Sequence, residues 1–157
     1  MRTKKLLTII VLVLIISVAY GTYNISLTDF RLSDKNSSYL GGLTWSRNLT
    51  TSFDVARQEN KPVAIYFWAI WCQYCAKFQS DTLGNPQVKN VLENDYVLVA
   101  MDLDIDRDVA NTYRVTAPPA VVFLGPDGTE LDRISGAVDA NYFLPIATQV
   151  RDKVRSK

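Results

Sequence analysis

Val63-Ala64-Ile65-Tyr66-Phe67-Trp68-Ala69-Ile70-Trp71-Cys72-Gln73-Tyr74-Cys75 decides how the rest of the chain is read. Its first seven residues form a near-continuous apolar run bounded by Pro62, which suits a central strand buried on both faces. The pattern then predicts a helix from about Cys72 to Thr82, so the two cysteines stand where a buried strand gives way to a helix. There the first thiol faces free backbone N–H groups and the positive end of the helix dipole, both of which favour thiolate over thiol. The second lies one helical turn on. A dithiol so placed can attack a disulfide through Cys72, form a mixed disulfide and resolve it through Cys75. Other readings are weaker. A zinc site needs four ligands, and a chain with two cysteines and no histidine supplies two. A structural disulfide closing so small a ring would remove little loop entropy. Inert buried thiols are the remaining alternative.

Composition narrows the rest. The 157 residues are 48% apolar and 21% charged, which describes a folded protein. The net charge of +1 gives nucleic-acid binding no electrostatic basis, and without Arg2, Lys4 and Lys5 the remainder is slightly acidic. The absence of histidine excludes Ser-His-Asp and Cys-His catalysis, His-ligated metal or haem, and a His pH switch.

Towards the N-terminus the organisation changes twice. Residues 1–23 begin with Arg2, Lys4 and Lys5 and continue into the apolar run Leu6–Tyr20, which has no polar face. Ser17-Val18-Ala19 fits a signal-peptide cleavage site, whereas residues 6–23 are just long enough to span a bilayer with the charged end in the cytoplasm. We read a retained anchor ahead of cleavage; both put the remainder outside the cytoplasm. Residues 24–43 read as a flexible polar tether with a reach of about 25 Å. Asn24, Asn36 and Asn48 head glycosylation-type triplets, for which the ordinary frequency of Asn and Ser in linkers is the plainer explanation.

Residues 44–157 read as one domain of class α/β. A helix is expected over Thr51–Asn60, with Phe53 and Ala56 inward, and another follows the turn Gly84-Asn85-Pro86. Tyr96–Leu103 reads as a strand and Arg107–Tyr113 as a helix. Ala120–Leu124 and Thr129–Ser135 form two strands joined by the turn Gly125-Pro126-Asp127-Gly128, and Asp139 caps a last helix to about Val154. This order implies a mixed sheet with helices on both faces. The acidic alternation Asp102-Leu103-Asp104-Ile105-Asp106-Arg107-Asp108 fails as a calcium loop, since Arg107 stands where Gly is needed and Tyr113 where Glu is needed. It reads instead as a strand end with solvated carboxylates. Trp68 is expected in the core, with Trp71 and Tyr74 as an apolar rim around Cys72.

Phe67–Cys75 resembles the active-site signature of the thioredoxin superfamily, and Tyr113–Phe123 resembles that family's cis-proline loop and the strand after it. The resemblance covers about residues 50–150. More narrowly, Lys61-Pro62-Val63, the cysteine motif, Asn85-Pro86-Gln87-Val88 and Gly125–Gly128 are similar to the C-terminal domain of the disulfide reductase DsbD and its membrane-anchored relatives. It implies the thioredoxin fold, a redox-active Cys72–Cys75 disulfide, and a cis Pro119 packed against it. The chain departs from the family pattern at three positions. Tyr66 and Gln79 stand where relatives carry acids, so Cys75 is expected to lose its proton to water or to the partner thiolate, slowing resolution. Pro118 has no N–H to give a bound substrate strand, which narrows docking preferences.

Together these readings point to a membrane-tethered thiol–disulfide oxidoreductase with Cys72 as nucleophile, Cys75 as resolving thiol, and Trp71, Tyr74, Pro118 and Pro119 at the substrate. No cofactor or metal is called for, and no Gly-rich nucleotide-binding loop is present. The resemblance implies protein disulfides as substrates and a transmembrane thiol protein as electron donor. An oxidase or isomerase is the rival within the same chemistry, because such dithiols span about −270 to −120 mV. From another class, a thioredoxin scaffold could hold Cu(I) or dock a partner without exchange, though no Met or His stands near the motif.

Overall fold

The computed structural model describes residues 37–156 together with Val13 and Ile15. The anchor expected over residues 6–23, Asn24 and Asn36 otherwise lie outside the described residues. Among the described residues no helix is long and apolar enough to cross a membrane.

In chain order the elements are β1 (Ser37–Leu40), β2 (Leu43–Ser46), α1 (Leu49–Glu59), β3 (Val63–Trp68), α2 (Gln73–Phe78), a π-helical turn (Gln79–Leu83), α3 (Pro86–Asp95), β4 (Val97–Asp102), α4 (Arg107–Thr112), β5 (Ala120–Leu124), β6 (Glu130–Ser135) and α5 (Ala140–Arg155). The six strands form one mixed sheet in the order β1-β2-β4-β3-β5-β6. β3 lies at its centre, parallel to β4 and antiparallel to β5, with Tyr66 opposite Ala100 on one side and Val121 on the other.

The apolar run of β3 is buried on both faces because its side chains alternate between two cores. Val63, Ile65 and Phe67 join Ala56 of α1 and Ala110 of α4. Ala64 and Tyr66 join Phe78, Leu92 and Phe143 from the helices of the opposite face. Trp68, expected in the core, is only half-buried at the strand's end, beside Ala69 and the cysteines.

The folded domain starts earlier than residue 44, and the expected tether over 24–43 is corrected at its end. Ser37–Leu40 pair antiparallel with Leu43–Ser46, and Gly41 and Gly42 turn between them at φ 61° and 74°. Two consecutive positive-φ residues suit the two-residue hairpin, and glycine takes them without a steric penalty. The turn presses on the end of the helix that follows the cysteines: a Cβ at Gly41 would sit 2.5 Å from Leu83 Cβ. Gly41→Ala is therefore expected to cost about 2 kcal/mol, seen as a fall of several degrees in Tm by calorimetry, with no change in the disulfide.

Helix α1 begins two residues before the expected start because Asn48 is its N-cap, its side chain accepting from Thr51 N at 3.1 Å. Asp139 caps α5 as expected, accepting from Tyr142 N at 2.9 Å.

Candidate functional site: the Cys72–Cys75 disulfide and its cleft

Cys72 and Cys75 are joined in a disulfide with their Cα atoms 5.2 Å apart. The site sits beyond the carboxyl ends of the parallel strands β3 and β4, which are locked together there by the Leu103 N–H donating to the Trp68 carbonyl at 2.9 Å. Cys72 is not inside the helix, as a start at Cys72 would have it, but caps α2 with extended backbone; its Sγ accepts from the Cys75 N–H at 3.0 Å. That N–H and the helix N-terminus favour negative charge on Cys72 when the disulfide opens. The two sulfurs are unequal: Cys72 is 8% exposed and Cys75 1%. The α-helix closes with the Gln79 N–H reaching the carbonyls of both Ala76 and Cys75, and the backbone then widens into the π turn, where the Gly84 N–H reaches back to the Gln79 carbonyl at 2.9 Å. Such a turn is frequent beside functional sites.

Around the disulfide lies an apolar rim. Trp71 is 62% exposed and Tyr74 70%; Ile70, which sequence reasoning passed over, is 82%. The peptide bond between Pro118 and Pro119 is cis. Pro119 is buried, its carbonyl accepting from the Gly136 N–H at 2.8 Å, and Pro118 is half-exposed. An open cleft of about 420 Å³ brings Trp71 and Pro118 together, with Leu103, Asp104, Ala110 and Val115 among its other walls. Tyr74 stands on α2 and does not line it, and Pro119 faces a smaller neighbouring cleft with Gly136.

The acidic alternation starts at the end of β4 with Asp104 and Asp108 exposed, as expected, but three of its four carboxylates also accept hydrogen bonds. Asp104 accepts from the Trp71 indole N–H at 2.8 Å, Asp102 from the Asp104 backbone at 2.9 Å, and Asp106 from the Asp102 backbone at 2.8 Å. The carboxylates order the loop after β4 and hold the indole as a wall of the cleft. Among the described residues no group of three or more acidic, Cys or His side chains could hold a metal ion.

The two positions lacking acids are bonded to each other. The Gln79 side-chain amide donates to the Tyr66 hydroxyl at 3.2 Å. Tyr66 is fully buried between Trp45 and Phe78, and burial pushes its pKa up to about 12.

Residues 49–151 match the thioredoxin-like domain family. The chain belongs to that family, and it carries the Cys72–Cys75 disulfide with two residues between the cysteines. The thiol:disulfide interchange protein DsbD of Pseudomonas fluorescens is 36% identical over 110 residues, which is 66% of this chain and 19% of that protein. The chain thus spans about a fifth of that relative's length. A thioredoxin from Thermus thermophilus superposes with a TM-score of 0.61 at 28% identity, over 66% of this chain and 84% of that one. The oxidised C-terminal domain of Neisseria meningitidis DsbD shares the fold, with a TM-score of 0.56 at 23% identity, over 64% of this chain and 90% of that domain.

Proposed function

We propose that the chain reduces protein disulfides outside the cytoplasm, held at a membrane by residues 6–23 and supplied with electrons by a transmembrane thiol protein. The carrying observation is the asymmetry of the pair: the more exposed sulfur caps a helix and accepts a backbone N–H, while the other is buried. The Cys72 thiolate attacks one sulfur of the substrate disulfide, joins to it, and expels the other substrate sulfur as a thiolate. The Cys75 thiolate then attacks Cys72 Sγ, releasing the second substrate thiolate, which takes up a proton, and leaving the Cys72–Cys75 disulfide for the donor to reduce. Trp71, Tyr74 and Pro118 form the docking surface, with Pro119 as the wall on the substrate side. Pro118 offers a substrate strand a carbonyl but no N–H, so one backbone hydrogen bond is absent from docking. The similarity to DsbD supports the direction and the donor, and the apolar N-terminal sequence supports the location.

A Cys75→Ser variant of the full chain, reduced and then mixed with oxidised insulin, should accumulate a mixed disulfide through Cys72, visible on a non-reducing gel and reversed by dithiothreitol. No adduct would leave the scaffold as a docking or Cu(I)-binding module. Equilibrating the wild-type pair in dithiothreitol buffers sets the direction: a potential near about −270 mV supports the reductase, and one near about −120 mV reverses the electron flow.

A further inference from the structure

The loop that ends in Pro118 and Pro119 borders a second cleft, of about 170 Å³, whose walls include Arg114, Arg133 and Gly136. No carboxylate is among the described residues that line it. Its two cations are held differently. The Arg133 guanidinium donates to both oxygens of Glu130 at 2.6 Å and to the Tyr113 carbonyl at 3.1 Å. Arg114 is exposed and makes no hydrogen bond or ion pair among the described residues, and Glu130 feels it only as a nearby charge. Two guanidinium groups against one carboxylate leave one positive charge uncommitted. The backbone of Arg114 is unusual as well, at φ 55°. It closes α4, with its N–H donating to the Asn111 carbonyl at 3.1 Å and the Val115 N–H to the Ala110 carbonyl at 2.8 Å. The left-handed residue of this helix-ending motif is commonly Gly or Asn, and an arginine there carries a steric penalty that glycine avoids. We infer that Arg114 is a specificity-determining residue that draws an acidic side chain of the substrate into this cleft, so that disulfides with Asp or Glu near the reacting cysteine are favoured.

The inference rests on the exchange mechanism proposed above and names a class of substrate for it. Val115, Thr116 and Pro118 line both this cleft and the larger one beside Trp71, so an extended strand crossing the loop from Trp71 enters the second cleft within a few residues. Because Pro118 gives that strand no N–H, side-chain contacts carry more of the docking. A guanidinium presents a planar fork that matches a carboxylate. Arg133 has spent its fork on Glu130 and serves as a fixed wall, which leaves Arg114 as the group able to receive a carboxylate. The larger cleft differs, since it is lined by Asp104 as well as Arg107 and has no excess of either sign. Without its basic start the chain is slightly acidic, so the overall field of the domain does not favour acidic substrates. A preference for them therefore reports the local cleft.

Alanine peptides blocked at both ends separate this contact from the chemistry. Each carries one cysteine as its 2-pyridyl disulfide and, one to three positions to either side, a single Glu or a Gln in its place. The Cys72 thiolate of the reduced full chain attacks the peptide sulfur, joins to it and expels pyridine-2-thiolate, which takes up a proton and absorbs as 2-thiopyridone. With Glu at one or more of these positions, release should run about three- to fivefold faster than with Gln, and the two rates should converge in about 0.5 M salt. Arg114→Gly should bring the ratio to about one while the thermal midpoint stays level or rises, since glycine suits that backbone. Arg114→Lys should keep part of the preference. Equal rates for Glu and Gln at every position in the wild-type chain, or a Glu preference that survives Arg114→Gly, overturn the inference. Arg114→Asn, which also tolerates this backbone, gives the same reading if the glycine variant does not fold. A wild-type chain that releases no thiopyridone from any peptide would instead count against the exchange mechanism itself.

Discussion

Cys72→Ser should lose turnover of protein disulfides by at least about a thousandfold, to the level of an uncatalysed thiol control. A serine hydroxyl stays protonated at neutral pH and cannot form the sulfur–sulfur bond on which the first step depends. Cys75 cannot stand in for it. Its residue is 1% exposed, whereas Cys72 is 8% exposed and is the extended cap residue next to the exposed Trp71. The loss should therefore appear in the first step, as disappearance of the fast thiopyridone release, with the thermal midpoint of the reduced protein almost unchanged. A short-range disulfide of this kind holds little loop entropy, so its removal has little effect on stability. A Cys72→Ser protein retaining more than a tenth of wild-type turnover would mean that Cys75 is the attacking group and that the helix cap has another purpose.

What the sequence disclosed was what neighbouring residues determine. The seven-residue apolar run, the cysteine spacing and the turn at Gly125–Gly128 each act within a few positions, and all appear in the structure as read. The β1–β2 hairpin did not show, because Ser37-Ser38-Tyr39-Leu40 is polar by composition and becomes a strand by pairing with Leu43–Ser46. Gly41-Gly42 between two short runs was the available signal, and Trp45, fully buried, marked the inner face. At the site, sequence showed that Tyr66 and Gln79 lack charge but not that they bond to each other across 13 positions. Nor did it join Trp71 to Asp104, 33 positions apart, so the second use of that exposed carboxylate, as acceptor for an indole, did not show. Tyr66 and Gln79 meet where strand and helix cross, and Trp71 and Asp104 where the turns after β3 and β4 lie side by side; no local periodicity encodes either pair.

The largest stability effect is expected at Phe78, three residues after Cys75. A chain of ring contacts runs from Trp45 of β2 to Tyr66 of β3, Phe78 of α2, Phe143 of α5, Phe123 of β5 and Tyr96, with centroids between 5.5 and 5.9 Å. Phe78 is the link by which α2 joins this chain, and it is 1% exposed. Phe78→Ala removes the ring and leaves a cavity against the Tyr66 and Phe143 rings, both held on other elements, so the site cannot fully collapse. The expected cost is about 3–5 kcal/mol, a large share of the roughly 5–15 kcal/mol that holds a domain folded. Urea titration should show the midpoint falling with the slope preserved. Phe78→Leu, which keeps most of the apolar volume, should cost about 1–2 kcal/mol. If Phe78→Ala cost less than about 1 kcal/mol, the cysteine-bearing helix would not be anchored through this stack, and the orientation of Gln79 towards Tyr66 would need another support. If the cost is as large as expected, the residues that place the disulfide are the same ones that hold the core, and the helix cannot move independently of the fold.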